Sequence, residues 1–332
     1  MSDLHRQNVA SNVAVTPARL HSFAAQSAQL APIALFVYNR PEHTRRTVES
    51  LRANELAPHS ELFVFADGAR NDSAASAVED VRKFIRMIEG FKSITIIERE
   101  RNFGLATSVI VGVSQLCEEF GRVIAVEDDL LTASDFLTFM NRALERYESE
   151  RKVISVSGFN FALSVPEQYS YDAFCSYRSS SWGWGTWQDR WKTVDWNVTD
   201  YASFQADKGR QQLFNRGGED LSRMLDLQMA GKIDSWAIRW AYNHFRKGGV
   251  ALLSTAPIVQ NIGLDRSGVH SSPGSARQSE LVFRRSSEYC FPDSVELDSY
   301  IVAEIRRMCR PSLPRKFARY VRDRLRRNSL VP

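Results

Sequence analysis

The stretch Val123-Ile124-Ala125-Val126-Glu127-Asp128-Asp129 decides the reading of this chain. Four apolar residues, mostly β-branched, predict a buried strand. The strand then runs straight into three carboxylates. Like charges at a strand end repel one another and lose hydration unless a cation or hydrogen-bond donors offset them. In an α/β sheet the carboxyl ends of strands are where ligands sit. A hard divalent cation holding a diphosphate would account for the cluster. A solvated acidic turn that caps the next helix is the competing reading.

Working outward, strands and helices alternate. Ile33–Tyr38 reads as a strand, broken by Asn39-Arg40-Pro41, with a helix over Glu42–Ala53. Leu62–Ala66 is a second strand ending in Asp67-Gly68, followed by a helix over Val78–Glu89. Ile94–Glu98 is a third strand, and Arg101-Asn102-Phe103-Gly104 leads into a helix over Leu105–Phe120. Val123–Val126 is the fourth strand, Ser134–Glu148 the next helix and Val153–Ser157 a fifth strand. This alternation predicts an α/β fold, an open and mostly parallel sheet with helices on both faces. The chain has no GxGxxG and no Walker A motif, which counts against dinucleotide and ATP sites.

The composition is that of a soluble globular protein: 332 residues, 43% hydrophobic and 25% charged. No stretch approaches the roughly 20 apolar residues of a membrane helix. Residues 1–30 carry no apolar core of a secretory signal and read as a flexible leader. The four cysteines lack metal-ligand spacing and suit a reduced, cytoplasmic protein. The net charge of +4 conceals an asymmetry. Between Arg306 and Arg327 ten basic residues face one acid, Asp323, a local +9, so the remainder carries −5. A nucleic-acid partner is therefore not expected. Arg315–Arg327 places Phe317, Tyr320, Val321 and Leu325 near one face of a basic helix. That pattern predicts a peripheral helix on an anionic membrane surface, at its inner face, or else a terminal helix docked on the domain.

After Phe159 the texture changes. Five of the seven tryptophans fall between Trp182 and Trp196. Aromatics interleaved with glycine predict a surface loop in which Trp182, Trp184 and Trp187 stack against an acceptor. Helical patterns return over Asp220–Met229 and Trp236–Lys247, then a strand over Val250–Leu253 and a polar loop from Asn261 to His270. Residues 271–280 are Ser-rich.

Roles follow from these positions. Asp129, furthest past the strand, is the first candidate metal ligand, with His270 reaching it from the late loop; together with phosphate oxygens they would suit Mn²⁺ or Mg²⁺. Glu127 would contact a donor sugar or a water beside it, and Asp128 a ribose. Asp67 could accept hydrogen bonds from a base or ribose, and Arg101 could neutralise phosphate, although both sit in turn-like sequence. Asp234, in Lys232-Ile233-Asp234-Ser235-Trp236, is either a helix N-cap or a general base for a sugar hydroxyl. Glu219 and Asp220, after Gly217-Gly218, compete for that role.

Phe36-Val37-Tyr38-Asn39-Arg40-Pro41, Ala66-Asp67-Gly68, Asn102-Phe103-Gly104-Leu105-Ala106 and Glu127-Asp128-Asp129-Leu130, continuing to Ser134-Asp135-Phe136, together resemble GT-A fold glycosyltransferases. In particular the chain is similar to the N-acetylglucosaminyltransferase I family and its bacterial, glycosyltransferase family 2-like relatives. The resemblance covers residues 31–160 well. It implies a Rossmann-like GT-A sheet, a nucleotide-diphosphate sugar as donor (a UDP-sugar favoured), a divalent metal on Asp129, and inversion driven by one aspartate base. It implies that Glu127, Asp128 and Asp67 contact the donor, and it carries the base to Asp234; Asn39, Arg40 and Arg101 are further candidate donor contacts. Residues 31–160 would form the nucleotide-sugar half, 161–275 the acceptor half, and 276–332 an extension with the basic helix. The expected acceptor is a saccharide, lipid-linked or part of a surface polysaccharide, and the transferred group a hexosyl or N-acetylhexosaminyl unit. A sugar nucleotidyltransferase would need a Gly-rich basic loop where Asn39-Arg40-Pro41 stands. A non-catalytic glycan-binding module would leave the acidic triplet unexplained.

Overall fold

The computed structural model describes residues 29–163, 165–265, 280–282 and 288–310. The first half runs β1 (Ile33–Val37), α1 (Pro41–Arg52), β2 (Glu61–Ala66), α2 (Asp72–Ile85), β3 (Ser93–Glu98), α3 (Leu105–Phe120), β4 (Arg122–Glu127), β5 (Leu130–Thr132), α4 (Phe136–Arg146) and β6 (Val153–Ser157). The second half adds β7 (Ala173–Ser176), β8 (Trp184–Trp187), α5 (Gln188–Trp191), α6 (Tyr201–Ala206), α7 (Lys208–Phe214), α8 (Leu221–Met229), α9 (Trp236–Arg246), β9 (Val250–Ser254), β10 (Val259–Asn261) and α10 (Ser299–Met308).

Eight strands form one sheet in the order β3-β2-β1-β4-β8-β6-β9-β7, and β10 pairs with β5 beside it. Strands β3, β2, β1 and β4 are mutually parallel, as are β6 and β9; β8 and β7 run against their neighbours. The expected mixed, mostly parallel sheet is thus observed. Side chains alternate across it. Ile33, Leu35, Val37, Ile124 and Val126 meet α1, α2 and α4 on one face; Ala34, Phe36, Val123 and Ala125 meet α3, α5 and α9 on the other.

Several boundaries move for identifiable reasons. Helix α1 starts at Pro41, which fits a first turn because its missing N–H has no intrahelical acceptor there. Helix α2 starts at Asp72, six residues before its apolar stripe, because the Asn71 side chain caps it by accepting from the Ala74 N–H. The fifth strand in sequence is β5, a three-residue strand without the length of a predicted one; the expected strand at Val153 is β6.

The largest correction concerns the tryptophans. Trp184–Trp187 is not a surface loop but β8, inserted antiparallel between β4 and β6. Trp184 and Trp187 are buried at 1% and 2% exposure, so neither can stack on an acceptor. Trp184 packs among Trp191, Trp236 and Trp240, and the Trp187 indole N–H donates to the Leu144 carbonyl at 3.0 Å. Gly185 lets β8 approach, since a Cβ there would lie 2.8 Å from the Val123 carbonyl oxygen. Trp182 alone stays partly accessible, packed against the core and edge-to-face on Phe159.

Helix α9 runs against the strands. Trp236, in its first turn, touches Trp184, which is the register partner of Ala125 near the carboxyl end of β4. Its last turn leads into the start of β9. In that last turn the buried His244 ties the helix to the sheet: the Ser155 hydroxyl lies 2.8 Å from Nε2, and Nδ1 lies 2.9 Å from the Trp240 carbonyl. No helix among the described residues is long and apolar enough to cross a membrane. The leader expected over residues 1–30 falls almost wholly outside the described residues, as does the basic helix Arg315–Arg327.

Candidate functional site

Register brings four strand ends to one edge. Val37 lies opposite Ala66, Ala66 opposite Glu98, and Phe36 opposite Glu127. The loops that start at Tyr38, Asp67, Arg99 and Asp128 therefore open side by side, which is where parallel α/β sheets place ligands. Asp67, Arg101 and the acidic triplet thus follow neighbouring strand ends on one edge.

The triplet divides between the two faces. By the alternation of β4, Glu127 continues the row of Val123 and Ala125, on the side of α3 and α9. Burial, then repulsion from Asp129 and Asp128, pushes its carboxyl pKa up to about 8, although Arg40 opposes this. Asp128 and Asp129 turn instead toward α1. Both are buried, and the Arg40 guanidinium reaches both, donating to Asp128 Oδ1 and, at 3.0 Å, to Asp129 Oδ2. Burial raises the Asp128 pKa, with Asp129 adding to the rise, while Arg40 and the Tyr38 backbone N–H restrain it. For Arg40, burial disfavours the charge but the two carboxylates outweigh it and hold its pKa above the ordinary arginine value. The Thr47 hydroxyl donates to the Asp128 carbonyl at 2.8 Å and fixes the turn from the α1 side.

A late segment closes over this pair. The Ile262 N–H donates to the Asp129 carbonyl at 2.8 Å, and Asn261 Nδ2 lies 3.4 Å from Asp129 Oδ1. Gly263 packs so tightly that a Cβ would overlap Asp129 Oδ2. His43 of α1 meets Asp265 at 3.2 Å. Of these, Asn261, Gly263 and Asp265 lie in the loop that the sequence marks only for His270, and Thr47 carries no motif signal at all. His270 itself lies outside the described residues.

Asp67 organises the neighbouring loop. Its Oδ1 accepts from Gly68 and Phe103 N–H at 3.0 and 2.8 Å, and its Oδ2 accepts from Gly104 N–H and Asn102 Nδ2 at 2.9 and 3.0 Å. Gly68 permits the contact, since a Cβ there would lie 2.5 Å from the Arg101 carbonyl carbon. Arg101 is exposed, with its guanidinium 5.5 Å from the Phe103 ring, whose other neighbour is the buried Arg99 at 4.4 Å. Asn39 lies in the bend between β1 and α1, beside Arg40.

The three candidate bases separate by location. Asp234 precedes α9, so it lies at the sheet end that carries Glu127 and on the same face. Its carboxylate is 71% exposed and lies 3.8 Å from Arg239. It is not the N-cap: Ser235 is, accepting from the Ile238 N–H. Asp220 and Glu219 open α8 at the opposite end of the sheet. There Arg178, two residues past β7, grips Asp220 through two hydrogen bonds of 2.8 and 2.9 Å, and Arg310 holds Glu219 at 2.9 Å. The glycines that drew notice to this pair serve packing, as a Cβ at Gly218 would lie 2.6 Å from Asp220 Oδ1.

Residues 33–206 match Glycosyl transferase family 2, more than half of the chain. The chain belongs to this family. As a family 2 glycosyltransferase it has the GT-A type of sheet described above. Among solved structures it is similar to TarS 1–349 of S. aureus, at 11% identity over 69% of this chain and 59% of that one, with a TM-score of 0.39. It is also similar to the mannosyltransferase PcManGT from Pyrobaculum calidifontis, solved with GDP-Man and Mn²⁺, at 11% identity over 66% of this chain and 68% of that one, TM-score 0.36. The galactosyltransferase LgtC, in complex with donor and acceptor sugar analogs, matches at 13% identity over 66% and 72%, TM-score 0.36. The chain thus spans less than two thirds of the TarS segment it matches, and likeness at this level transfers no residue roles. No curated protein matches it.

Among the described residues no three metal-ligating side chains converge. The residues nonetheless fit a hard cation that brings further ligands with it. Asp129 and Asp128 offer carboxylate oxygens at the ligand-binding edge, where both are buried. Mg²⁺-type ions are commonly held by one or two carboxylates plus substrate phosphates.

Proposed function

We propose that this glycosyltransferase is metal-dependent and inverting, and that it moves a sugar from a nucleotide-diphosphate donor to a saccharide acceptor. One observation carries the reading: Asp128 and Asp129 lie buried at the shared strand edge, facing α1, while Glu127 and Asp234 lie on the other face at the same end. Groups suited to diphosphate and to acceptor chemistry thereby stand at the same end of the sheet.

Asp129, with Asp128 beside it, would hold Mn²⁺ or Mg²⁺, which when bound neutralises charge on the departing diphosphate. Arg40 and Arg101 would contact phosphate oxygens, matching their geometry. Asp67 shapes the Asn102–Gly104 loop against which the nucleotide would rest. Asp234 takes the proton from the acceptor hydroxyl as that oxygen bonds to the anomeric carbon. The bond from that carbon to the diphosphate oxygen breaks, and the nucleoside diphosphate leaves with the electron pair. Asp234 suits this task because it is exposed and only loosely paired, whereas Asp220 and Glu219 are held by arginines. Trp182 remains a candidate acceptor contact, and His270 a candidate ligand beside Asp129.

A UDP-sugar donor, a hexosyl or N-acetylhexosaminyl group and a lipid-linked or polysaccharide acceptor complete the reading; the narrower likeness to N-acetylglucosaminyltransferase I rests on the acidic triplet. The basic run from Arg306 to Arg327 supports attachment to an anionic membrane. Loss of cosedimentation with anionic vesicles on deleting residues 311–332 is the expected result, and unchanged binding contradicts it. The transfer reading itself is tested by incubating the full chain with radiolabelled UDP-sugars, Mn²⁺ and lipid-linked saccharide extracts. Labelled product from wild type but not from Asp234→Asn supports it; equal product from both refutes the assigned base.

A further inference from the structure

The Arg40 guanidinium stands where a divalent cation would have to work. Its side chain is only 18% exposed, and those of its partners Asp128 and Asp129 are 6% and 12% exposed. Asp129 Oδ2 faces Arg40, Asp129 Oδ1 faces Asn261, and Gly263 seals the remaining side. A divalent ion on Asp129 would thus approach an oxygen that already serves a full positive charge, with little water to screen the repulsion. No third metal-ligating side chain among the described residues converges there to offset that cost.

We propose that Arg40 is the resident cation of this site, holding Asp128 and Asp129 together until a divalent ion displaces it, and that the freed guanidinium then binds the donor diphosphate. The proposal rests on the metal-dependent reading above and extends it to the order of events. Arg40 sits in the bend after β1, on the edge shared by all four strand ends, so a diphosphate bound there lies within reach of the same side chain. One nitrogen, Nη2, bridges the two carboxylates, and the planar fork of donors matches a diphosphate as a lysine does not. The exchange keeps the buried carboxylates neutralised at every stage, since an uncompensated buried charge is strongly destabilising. It also makes cation and donor binding mutually dependent: the cation alone must evict Arg40 without offering it a new partner, whereas cation and diphosphate together do both. Arg40 is therefore a positioning residue that excludes a futile metal-only state.

The test measures Mn²⁺ binding to the full chain by the electron paramagnetic resonance of the free ion, without nucleotide. Arg40→Met is expected to bind Mn²⁺ at least tenfold more tightly than wild type. With saturating Mn²⁺, calorimetric titration of UDP and GDP is expected to show at least tenfold weaker binding of the recognised nucleotide to that variant. Equal or weaker Mn²⁺ affinity in Arg40→Met, with Asp129→Ala still abolishing Mn²⁺ binding to the wild-type site, overturns the exchange and leaves the metal reading standing. No Mn²⁺ binding to wild type, with or without nucleotide, overturns both. Should Arg40→Met not fold, Arg40→Lys keeps the charge but loses the fork. Its thermal midpoint is expected to rise more on adding Mn²⁺ than that of wild type, and an equal or smaller rise contradicts the proposal.

Discussion

Gly263 backs onto the Asp129 carboxylate so closely that one added carbon would overlap Oδ2 and come within 2.9 Å of Arg40 Nη1. The two residues are joined through the neighbouring backbone, where the Ile262 N–H donates to the Asp129 carbonyl. Gly263→Ala must therefore push the carboxylate away from its present direction. Expected are at least tenfold weaker Mn²⁺-supported donor binding in calorimetry and an unchanged far-ultraviolet circular dichroism spectrum.

Asp234→Asn removes a proton acceptor without altering size. Transfer is expected to fall by about 10²–10⁴-fold, the usual contribution of a general base. Donor affinity is expected to stay within a factor of about two, because Asp234 is assigned to the acceptor hydroxyl and not to the diphosphate. Normal turnover in this variant would reassign the base.

Trp184 and Trp182 should respond in opposite ways. Trp184→Ala empties a space among Trp191, Trp236 and Trp240, and is expected to cost about 3–5 kcal/mol in urea denaturation. Trp182→Ala, at a partly buried position, is expected to change stability less and to raise the acceptor KM.

His244 gives the chain an acid-sensitive core. Burial lowers its pKa from 6.5 to about 4, against which the Trp240 carbonyl works only partly. On acidification the unfolded chain takes up this proton first. The associated stability is thus fully present above pH 6.5 and is lost as pH falls toward 4, about 3 kcal/mol in all. Urea midpoints between pH 7 and 4 should fall in wild type, and that segment should flatten in His244→Gln.

The sequence made the first half legible because each buried strand there is a short apolar run followed by a polar break and an amphipathic helix. The alternation of Val123 to Val126 and the stop at Glu127 placed the acidic triplet on an edge, and register then joined it to Asp67 and Arg101. The second half resisted because its strands lack that signature. Trp184-Gly185-Thr186-Trp187 interleaves glycine with large aromatics, which reads as a loop until an antiparallel slot beside β4 needs glycine for closeness and tryptophan for bulk. The partner of the triplet is half visible: the sequence points Arg40 toward the donor, but a salt bridge across 88 residues of sequence has no local pattern. Likewise Asp220 and Asp234 look alike in one dimension, and only the direction of α8 and α9 sends them to opposite ends of the sheet.

The most direct measurement is calorimetric titration of UDP and GDP into the full chain, with Mn²⁺ and with chelator, for wild type and Asp129→Ala. The expected result is that one nucleoside diphosphate binds wild type only when Mn²⁺ is present and does not bind Asp129→Ala under either condition. Equal affinity with and without Mn²⁺, or unimpaired Mn²⁺-dependent binding by Asp129→Ala, would contradict a metal–diphosphate site at the end of β4.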